Sequence, residues 1–287
     1  MKIMLYGDDT SEASPEVCEA LINEAMQARL FQTLLGSYHV FEFEARKDVA
    51  YIITGMVRKQ KEAVQYLASN RQVLVMLMAS YKDANVSLHA GTILREFIRH
   101  EVLTSMLLDF DFLDQIFAMI EEDNFDIASD AFATLRDLLM THKNTAAAFL
   151  LDNFDRFFGK DGQPAVSFTA LLLSQNYATR RQAIKLLGDL LLDKPFYKVM
   201  TRYIVEVENL KIMMNLLRDK SKNIQYEAFH VFKVIVANPD RPAEVSEILQ
   251  RNKDRLVSFL KQLDLGKEDE QLDGEKAVVV AKIEELA

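Results

Sequence analysis

Five segments of the chain carry the same pattern of apolar residues. Each segment has a small or β-branched anchor residue, followed by apolar residues four, seven and eight positions later. The offsets 0, 4, 7 and 8 trace one face of an α-helix, so each segment predicts a helix with one buried face. The anchors are Val49, Ala90, Ala131, Ala183 and Ala228.

The spacing between successive anchors indicates the class of repeat. The anchors are separated by 41 residues (49 to 90), 41 (90 to 131), 52 (131 to 183) and 45 (183 to 228). Spacings of about 40–47 residues are typical of HEAT and armadillo units, which hold two or three helices each. We therefore predict an all-α fold, a right-handed α-α superhelix of armadillo/HEAT-like repeats. We expect a curved rod or horseshoe whose concave face binds other molecules.

We expect residues 1–287 to form a single helical-repeat domain. Ser14 is a predicted N-cap with Pro15 in the first helical turn. The glycines and the proline of segment 159–174 predict an inserted loop with a short extra helix. Near the C-terminus we predict a charged linker over 266–276 and a capping helix over 277–287.

Composition supports the helical prediction and argues against several classes of partner. The chain has only 9 glycines and 5 prolines, which favours helices joined by short connections. A net charge of -9 argues against nucleic acid, since that affinity comes mostly from lysine and arginine. No apolar run reaches membrane-spanning length, and Met1 to Gly7 is too short for a secretion signal. We expect a soluble cytoplasmic protein whose one cysteine, Cys18, is a buried thiol.

The sequence contains no recognisable catalytic or metal-binding motif. The five histidines lack metal-binding spacing, and the glycines of 159–164 lack the spacing that cradles a phosphate. The acids Asp109, Asp111 and Asp114 suggest a calcium loop, but its sixth and twelfth positions hold Asp114 and Ile120. We therefore expect no enzyme activity, no metal and no cofactor. A constellation assembled from distant residues stays open at this point.

Four segments resemble one known family. They are LREFIRHE (94–101), FDIASDAFATLRDLL (125–139), RRQAIKLLGDLLLD (180–193) and ENLKIMMNLLRDKSKNIQYEAFHVFKVIVANP (208–239). With these segments the chain resembles the mouse protein 25 family, also called calcium-binding protein 39. The resemblance runs along the whole chain and is densest from Phe125 to Pro239. Family members usually begin with a further helical segment, which we expect this chain to lack.

The resemblance implies an armadillo-like scaffold for protein kinases. Members of the family bind a sterile-20-type pseudokinase in a complex with the liver tumour-suppressor kinase as a third protein. They also bind active sterile-20-type kinases, and in fungi they serve cell polarity. The implied mechanism is allosteric, because a binder shifts a conformational equilibrium by its difference in affinity for the two states.

Two surfaces follow from the resemblance. The kinase-binding concave surface would use Phe125, Tyr177 and Arg181, and exposed aromatics and arginines are common interface anchors. The alternative is that Phe125 lies in the core and Arg181 is a solvated charge. The second surface is a C-terminal pocket for a Trp-Glu-Phe tail of the pseudokinase. Its predicted residues are Lys194, Tyr197, Lys211 and Met214.

Two of these pocket residues depart from the family pattern, which has arginine at Lys194 and phenylalanine at Tyr197. Lysine does not form the planar, bidentate pair that arginine forms with a carboxylate, so we expect weaker or altered tail binding. Three alternatives to a kinase scaffold stay open on the residues alone. They are a generic repeat adaptor for other proteins or peptides, a nucleic-acid-binding HEAT protein, and an enzyme.

Overall fold

A computed structural model describes residues 1–7, 12–159, 167–265 and 270–286. Within these ranges the secondary structure is helical and no strand occurs. The predicted loop and linker are therefore covered only in part, because residues 160–166 and 266–269 lie outside the described ranges.

The chain divides into two compact units. The first unit holds residues 1–149 and 155–168, and the second holds residues 150–154 and 169–287. The helices of the first unit are α1 (Lys2–Tyr6), α2 (Pro15–Gln27), α3 (Leu30–Gly36), α4 (Phe43–Lys59), α5 (Lys61–Ser69), α6 (Arg71–Tyr81), α7 (Ser87–Ile98), α8 (Glu101–Leu107), α9 (Phe110–Ile120) and α10 (Phe125–Met140).

Three further helices follow where the two units alternate along the sequence, namely α11 (Lys143–Asp152), α12 (Phe154–Phe158) and α13 (Phe168–Leu172). The described part of the predicted insertion, 159–174, thus contains the short extra helix that we expected. The helices of the second unit are α14 (Tyr177–Leu191), α15 (Tyr197–Tyr203), α16 (Val207–Leu216), α17 (Lys222–Ala237), α18 (Ala243–Arg251), α19 (Lys253–Gln262) and α20 (Glu270–Glu284).

The predicted helical pattern is confirmed. The five anchors lie in α4, α7, α10, α14 and α17, which we call the anchor helices. All twenty positions at offsets 0, 4, 7 and 8 are buried, with Val49 and its 6% exposure the most accessible of them. Burying a large aliphatic or aromatic side chain contributes about 1.5–3 kcal/mol, so this face adds substantially to the stability of the core.

Residues 61–81 and 102–120 are amphipathic throughout, and the sequence alone predicts one continuous helical stretch for each. The structure divides each stretch into two helices, so these repeats contain three helices. Asn70 interrupts the first stretch, and its side chain donates to the Tyr66 carbonyl at 2.7 Å. Asp109 begins the second helix of the other stretch by accepting from the Asp111 amide at 2.7 Å. Short polar side chains that bind nearby backbone compete with helix continuation.

Near the two chain ends, two predictions are confirmed and one is corrected. Ser14 caps α2, because its hydroxyl accepts from the Val17 amide at 3.5 Å. Cys18 of α2 is 3% exposed and its thiol donates to the Met4 carbonyl at 3.0 Å. The C-terminal helix α20 begins at Glu270, seven residues before the predicted start at 277. Charged residues at 270–276 were read as linker, yet Lys233 of α17 binds Glu275 at 2.6 Å and ties this turn to the core.

Neighbouring anchor helices of the first unit approach closely through a buried polar cluster. The Asp130 carboxylate of α10 accepts a hydrogen bond from the Tyr81 hydroxyl at 2.6 Å. It also forms an ion pair with Arg95 of α7 at 2.8 Å. Thr134 completes the cluster, 2.9 Å from the Tyr81 hydroxyl and 3.0 Å from Arg95. Burial, with a smaller contribution from the Asp130 charge, raises the pKa of Tyr81 well above its ordinary value. Gly91 of α7 has no side chain, and the Asp130 carboxylate and the Tyr81 hydroxyl lie in the space that a side chain there would fill.

We expect Gly91→Ala to lower the free energy of unfolding by about 1–3 kcal/mol, because overpacking forces a shift of well-packed neighbours. The added methyl would overlap the Asp130 carboxylate and lie 3.0 Å from the Tyr81 hydroxyl. Gly188→Ala in α14 is the matched control, since a methyl there meets nothing within 4 Å. The control should raise stability by about 0.5–1 kcal/mol through helix propensity. Urea unfolding measures both, and equal effects would contradict the close approach at Gly91.

Candidate functional site

The first turn of α10 carries the first predicted contact residue. The Asn124 side chain accepts from the backbone amides of Asp126 at 3.0 Å and Ile127 at 3.3 Å, which fixes the start of the helix. Phe125 is the next residue, ahead of the buried face, and it is 66% exposed. The alternative that Phe125 is a core residue is therefore wrong. An exposed phenylalanine gains free energy when a partner covers it.

The first turn of α14 repeats this arrangement in the second unit. The Asn176 side chain accepts from the Ala178 amide at 2.9 Å, and Tyr177 begins the helix with 44% exposure. The Ser221 hydroxyl donates to the Tyr177 oxygen at 3.4 Å. This hydrogen bond, then one from Asn223, lowers the pKa of Tyr177, and Arg181 one turn along α14 acts in the same direction.

Phe125 and Tyr177 occupy the same position in their repeats. Each is the first residue of an anchor helix and lies six residues before its anchor (125 to 131, 177 to 183). Phe125 belongs to the first unit, whereas Tyr177 and Arg181 belong to the second. Phe125 in the first unit and Tyr177 in the second therefore share the same position in the repeat, an asparagine cap before them and an exposed side chain.

The four residues predicted for the tail pocket divide between two cavities and the open surface of the second unit. Met214 lines a cavity of about 480 Å³ at the end of α16, beside Leu256 and Phe259 of α19. Tyr197, which is 63% exposed, lines a separate cavity of about 350 Å³ with Met200 and other residues of α15 and the end of α17.

The two predicted lysines line neither cavity. Lys194 is exposed in the short 3-10 helix that precedes α15. Lys211 lies one turn before Met214 on α16 and pairs with Glu208 at 2.6 Å. A ligand carboxylate would therefore compete with Glu208 for Lys211.

Two arginines that the sequence reasoning missed lie beside Met214. Arg218 and Arg255 line the same cavity, with Asn215 and Asn252. Helical spacing could have pointed to Arg218, because it follows Met214 by four residues and so lies on the same face of the helix. The residues Arg255, Leu256 and Phe259 likewise lie within two turns of α19. Without the packing of α19 near the end of α16, nothing in the sequence joins the two segments.

The arginines of the second unit fall into two groups. Arg180 pairs with Asp219 at 3.1 Å and Arg251 with Glu247 at 3.2 Å, while Arg202 and Arg241 donate to backbone carbonyls. The others pair with no carboxylate among the described residues, and they are the arginines of the candidate sites, Arg181, Arg218 and Arg255. In a chain with 43 acidic residues, arginines left without an acid are available to a carboxylate from a partner.

The acids that suggested a calcium loop have structural partners. Asp109 caps α9 and pairs with Arg71 at 2.9 Å, and Asp114 pairs with Arg156 at 3.3 Å. Across the described ranges, no group of three or more histidine, cysteine, aspartate or glutamate side chains is placed to hold a metal ion. In the same ranges no helix is both long enough and apolar enough to cross a membrane.

Comparisons with known proteins agree with the resemblance. The model of the Mo25-like family matches residues 1–287. MO25-like protein 2 of Caenorhabditis elegans is 43% identical over 290 residues, covering 99% of this chain and 84% of that protein. The human protein calcium-binding protein 39-like is 41% identical, covering 100% of this chain and 84% of its own length. The Mo25-like protein of Schizosaccharomyces pombe is also 41% identical, covering 100% of this chain and 86% of its own length.

Solved structures agree on the fold. A designed armadillo repeat protein, solved in complex with the peptide (KR)4, superposes with a TM-score of 0.53 at 12% identity. The superposition covers 88% of this chain and 99% of that one. At this identity the likeness concerns the fold alone, and it confirms the predicted class of armadillo/HEAT-like helical repeats. With a family match over its full length and relatives above 40% identity, this chain belongs to the Mo25-like family.

Proposed function

We propose that this protein is a non-catalytic scaffold that binds and activates sterile-20-type protein kinases or pseudokinases in the cytoplasm. Membership of the Mo25-like family and the helical-repeat fold support a scaffold. In this proposal the kinase contacts Phe125 of the first unit and Tyr177 and Arg181 of the second unit, each presented by its own unit. A third kinase joins the complex when the partner is a pseudokinase.

The observation that carries the proposal is the exposure of Phe125. Its ring is 66% exposed at the start of α10, although the neighbouring residues Ile127 and Ala128 are buried. Covering the exposed part of such a ring, roughly 130 Å², contributes about 3 kcal/mol at about 25 cal/mol per Å². Together with Tyr177 and Arg181, it supplies the aromatic and arginine side chains that dominate protein interfaces.

Activation in this proposal requires no chemistry from the scaffold. A kinase domain exchanges between an active and an inactive conformation, and a scaffold with higher affinity for the active one raises its population. A shift of one hundredfold in that equilibrium needs about 2.7 kcal/mol of difference in affinity. Contacts by a few anchor residues suffice for a difference of that size.

The cavity at Met214 serves as the tail pocket. Met214, Leu256 and Phe259 offer apolar surface for an aromatic side chain, and methionine adapts well to such ligands. Arg218 and Arg255 offer guanidinium groups to a neighbouring acid. A short tail that contains an aromatic residue next to a glutamate, as in Trp-Glu-Phe, fits this combination.

The double substitution Phe125→Ala/Arg181→Ala tests the kinase-binding surface. We expect the wild-type chain to recover a sterile-20-type kinase or pseudokinase in a pull-down and to raise the activity of the kinase complex. The double variant should bind at least about tenfold more weakly and lose activation, because both side chains are exposed anchors. Its unfolding midpoint should stay close to that of the wild type, since exposed side chains contribute little to stability.

The control is Val102→Ala/Arg99→Ala, which removes an apolar and a basic side chain that are also exposed. This variant should bind and activate as the wild type does. A folded wild-type chain that recovers no kinase contradicts the proposal, and so does equal loss of binding in both double variants.

A dye-labelled peptide that ends in Trp-Glu-Phe tests the tail pocket by fluorescence anisotropy. Met214→Ala should raise the dissociation constant about tenfold, because the aromatic side chains lose apolar contact. Arg218→Ala/Arg255→Ala should weaken the binding of this peptide more than that of its Glu→Gln analogue. Tyr197→Ala is the control, since Tyr197 lines the other cavity. A stronger effect of Tyr197→Ala than of Met214→Ala would place the tail outside the Met214 cavity.

A further inference from the structure

Two phenylalanines of this protein are exposed to solvent, unlike the others. All eighteen lie within the described residues, and sixteen of them are buried or half-buried. The exceptions are Phe43, with 65% exposure, and Phe125, with 66%. Exposed aromatic rings of this size are costly to leave in water unless a partner covers them.

Phe43 and Phe125 also share their local setting. Each is the first residue of an anchor helix, α4 or α10, and lies six residues before the anchor (43 to 49, 125 to 131). Each is followed by an acidic residue and, five positions later, by an aspartate that precedes the anchor (Asp48 and Asp130). The first turn of α4 therefore presents Phe43 at the position where α10 presents Phe125, although the Asn124 side chain caps α10 and the Glu42 side chain does not cap α4.

The two phenylalanines are linked through α7. In the first unit α7 packs against both α4 and α10. The ring of Phe43 lies 5.6 Å from the ring of His89, the third residue of α7. Leu88, the second residue of α7, is 47% exposed. Exposed apolar side chains thus occur in the first turn of three successive anchor helices, and we call Phe43, Leu88 and Phe125 the apolar row.

The N-terminal helix α1 covers another part of α4. Lys2 pairs with Asp48 at 2.7 Å, and the Tyr6 ring lies 4.1 Å from the ring of Tyr51. These contacts begin five residues after Phe43 and continue away from it along α4. Among the described residues, α1 therefore leaves Phe43 open to a partner.

We propose that Phe43 and Leu88 extend the partner-binding surface of Phe125 across the first unit, so that one folded protein domain covers the whole apolar row. This rests on the proposed function, because the domain is the kinase or pseudokinase that Phe125 binds. Lys47, one turn after Phe43, is 61% exposed and lies 3.7 Å from Glu44, so an acidic side chain at the edge of the partner would compete with Glu44 for it. The row selects a partner with an apolar ridge long enough to span three anchor helices.

The experiment measures the affinity of full-length variants for the kinase recovered with the wild-type chain, by biolayer interferometry. Phe43→Ala should raise the dissociation constant about tenfold, as expected for an aromatic anchor, and Leu88→Ala by a smaller factor of about three. Val102→Ala is the matched control, because Val102 is 48% exposed on α8 of the same unit and lies outside the row. It should leave the affinity unchanged.

A second measurement does not depend on a substitution. Hydrogen–deuterium exchange of the wild-type chain, with and without the kinase, should show slower exchange in the first turns of α4 and α7 as well as α10. Slower exchange at α10 alone would overturn the extension of the surface.

The outcomes separate this inference from the proposed function. If Phe125→Ala weakens binding while Phe43→Ala and Leu88→Ala match the Val102→Ala control, the apolar row is not a single surface and only this inference fails. If the wild-type chain binds no sterile-20-type kinase, the proposed function fails first and this inference fails with it.

Discussion

The repeats depend on close packing between neighbouring anchor helices, and small residues permit it. A methyl group added at Gly91 of α7 would overlap the Asp130 carboxylate of α10. The anchors Ala90, Ala131, Ala183 and Ala228 are fully buried. Close approach buries the long apolar face of each helix and brings Arg95 against Asp130. This half-buried ion pair adds little net stability, but its geometry disfavours a slip of α7 along α10. The register of α7 against α10 therefore depends on Gly91 together with this pair.

The same packing leaves the first residue of α4, α10 and α14 exposed, namely Phe43, Phe125 and Tyr177. The asparagine caps at Asn124 and Asn176 fix where α10 and α14 begin, and the buried face starts two residues after the first one, at Ile127 and Thr179. An exposed side chain at the first position is held by a rigid helix yet contributes little to the core. Such positions combine a fixed geometry with freedom to change chemistry, which is what a binding surface on a scaffold requires.

Charge distribution sets a second requirement for binding. The chain carries 43 acidic and 34 basic residues, so an arginine usually finds an acid or a carbonyl nearby. In the second unit Arg181, Arg218 and Arg255 pair with no carboxylate among the described residues, unlike Arg180 or Arg251. A guanidinium without an acid costs nothing at an exposed site and pairs readily with a partner's carboxylate. Acidic groups on a partner would therefore find these arginines without displacing an internal salt bridge.

The sequence by itself determined the helical repeat, its anchors and its buried face. These features are periodic along one chain, and the period of apolar residues follows from helix geometry alone. It also identified Ser14 as a cap, Cys18 as buried, and the family through contiguous motifs. It missed the breaks at Asn70 and Asp109, because those depend on which backbone group a short polar side chain binds.

Only the tertiary structure decided which side chains share a cavity. Met214 and Tyr197 looked like neighbours from the family pattern, yet each lines its own cavity. Arg255 is 41 residues from Met214 in the sequence (214 to 255) and lines the same cavity. Periodicity fixes which face of a helix is buried, whereas contacts between distant segments depend on how helices dock. That docking is set by side-chain volumes and polar pairs on both partners, which no single segment encodes.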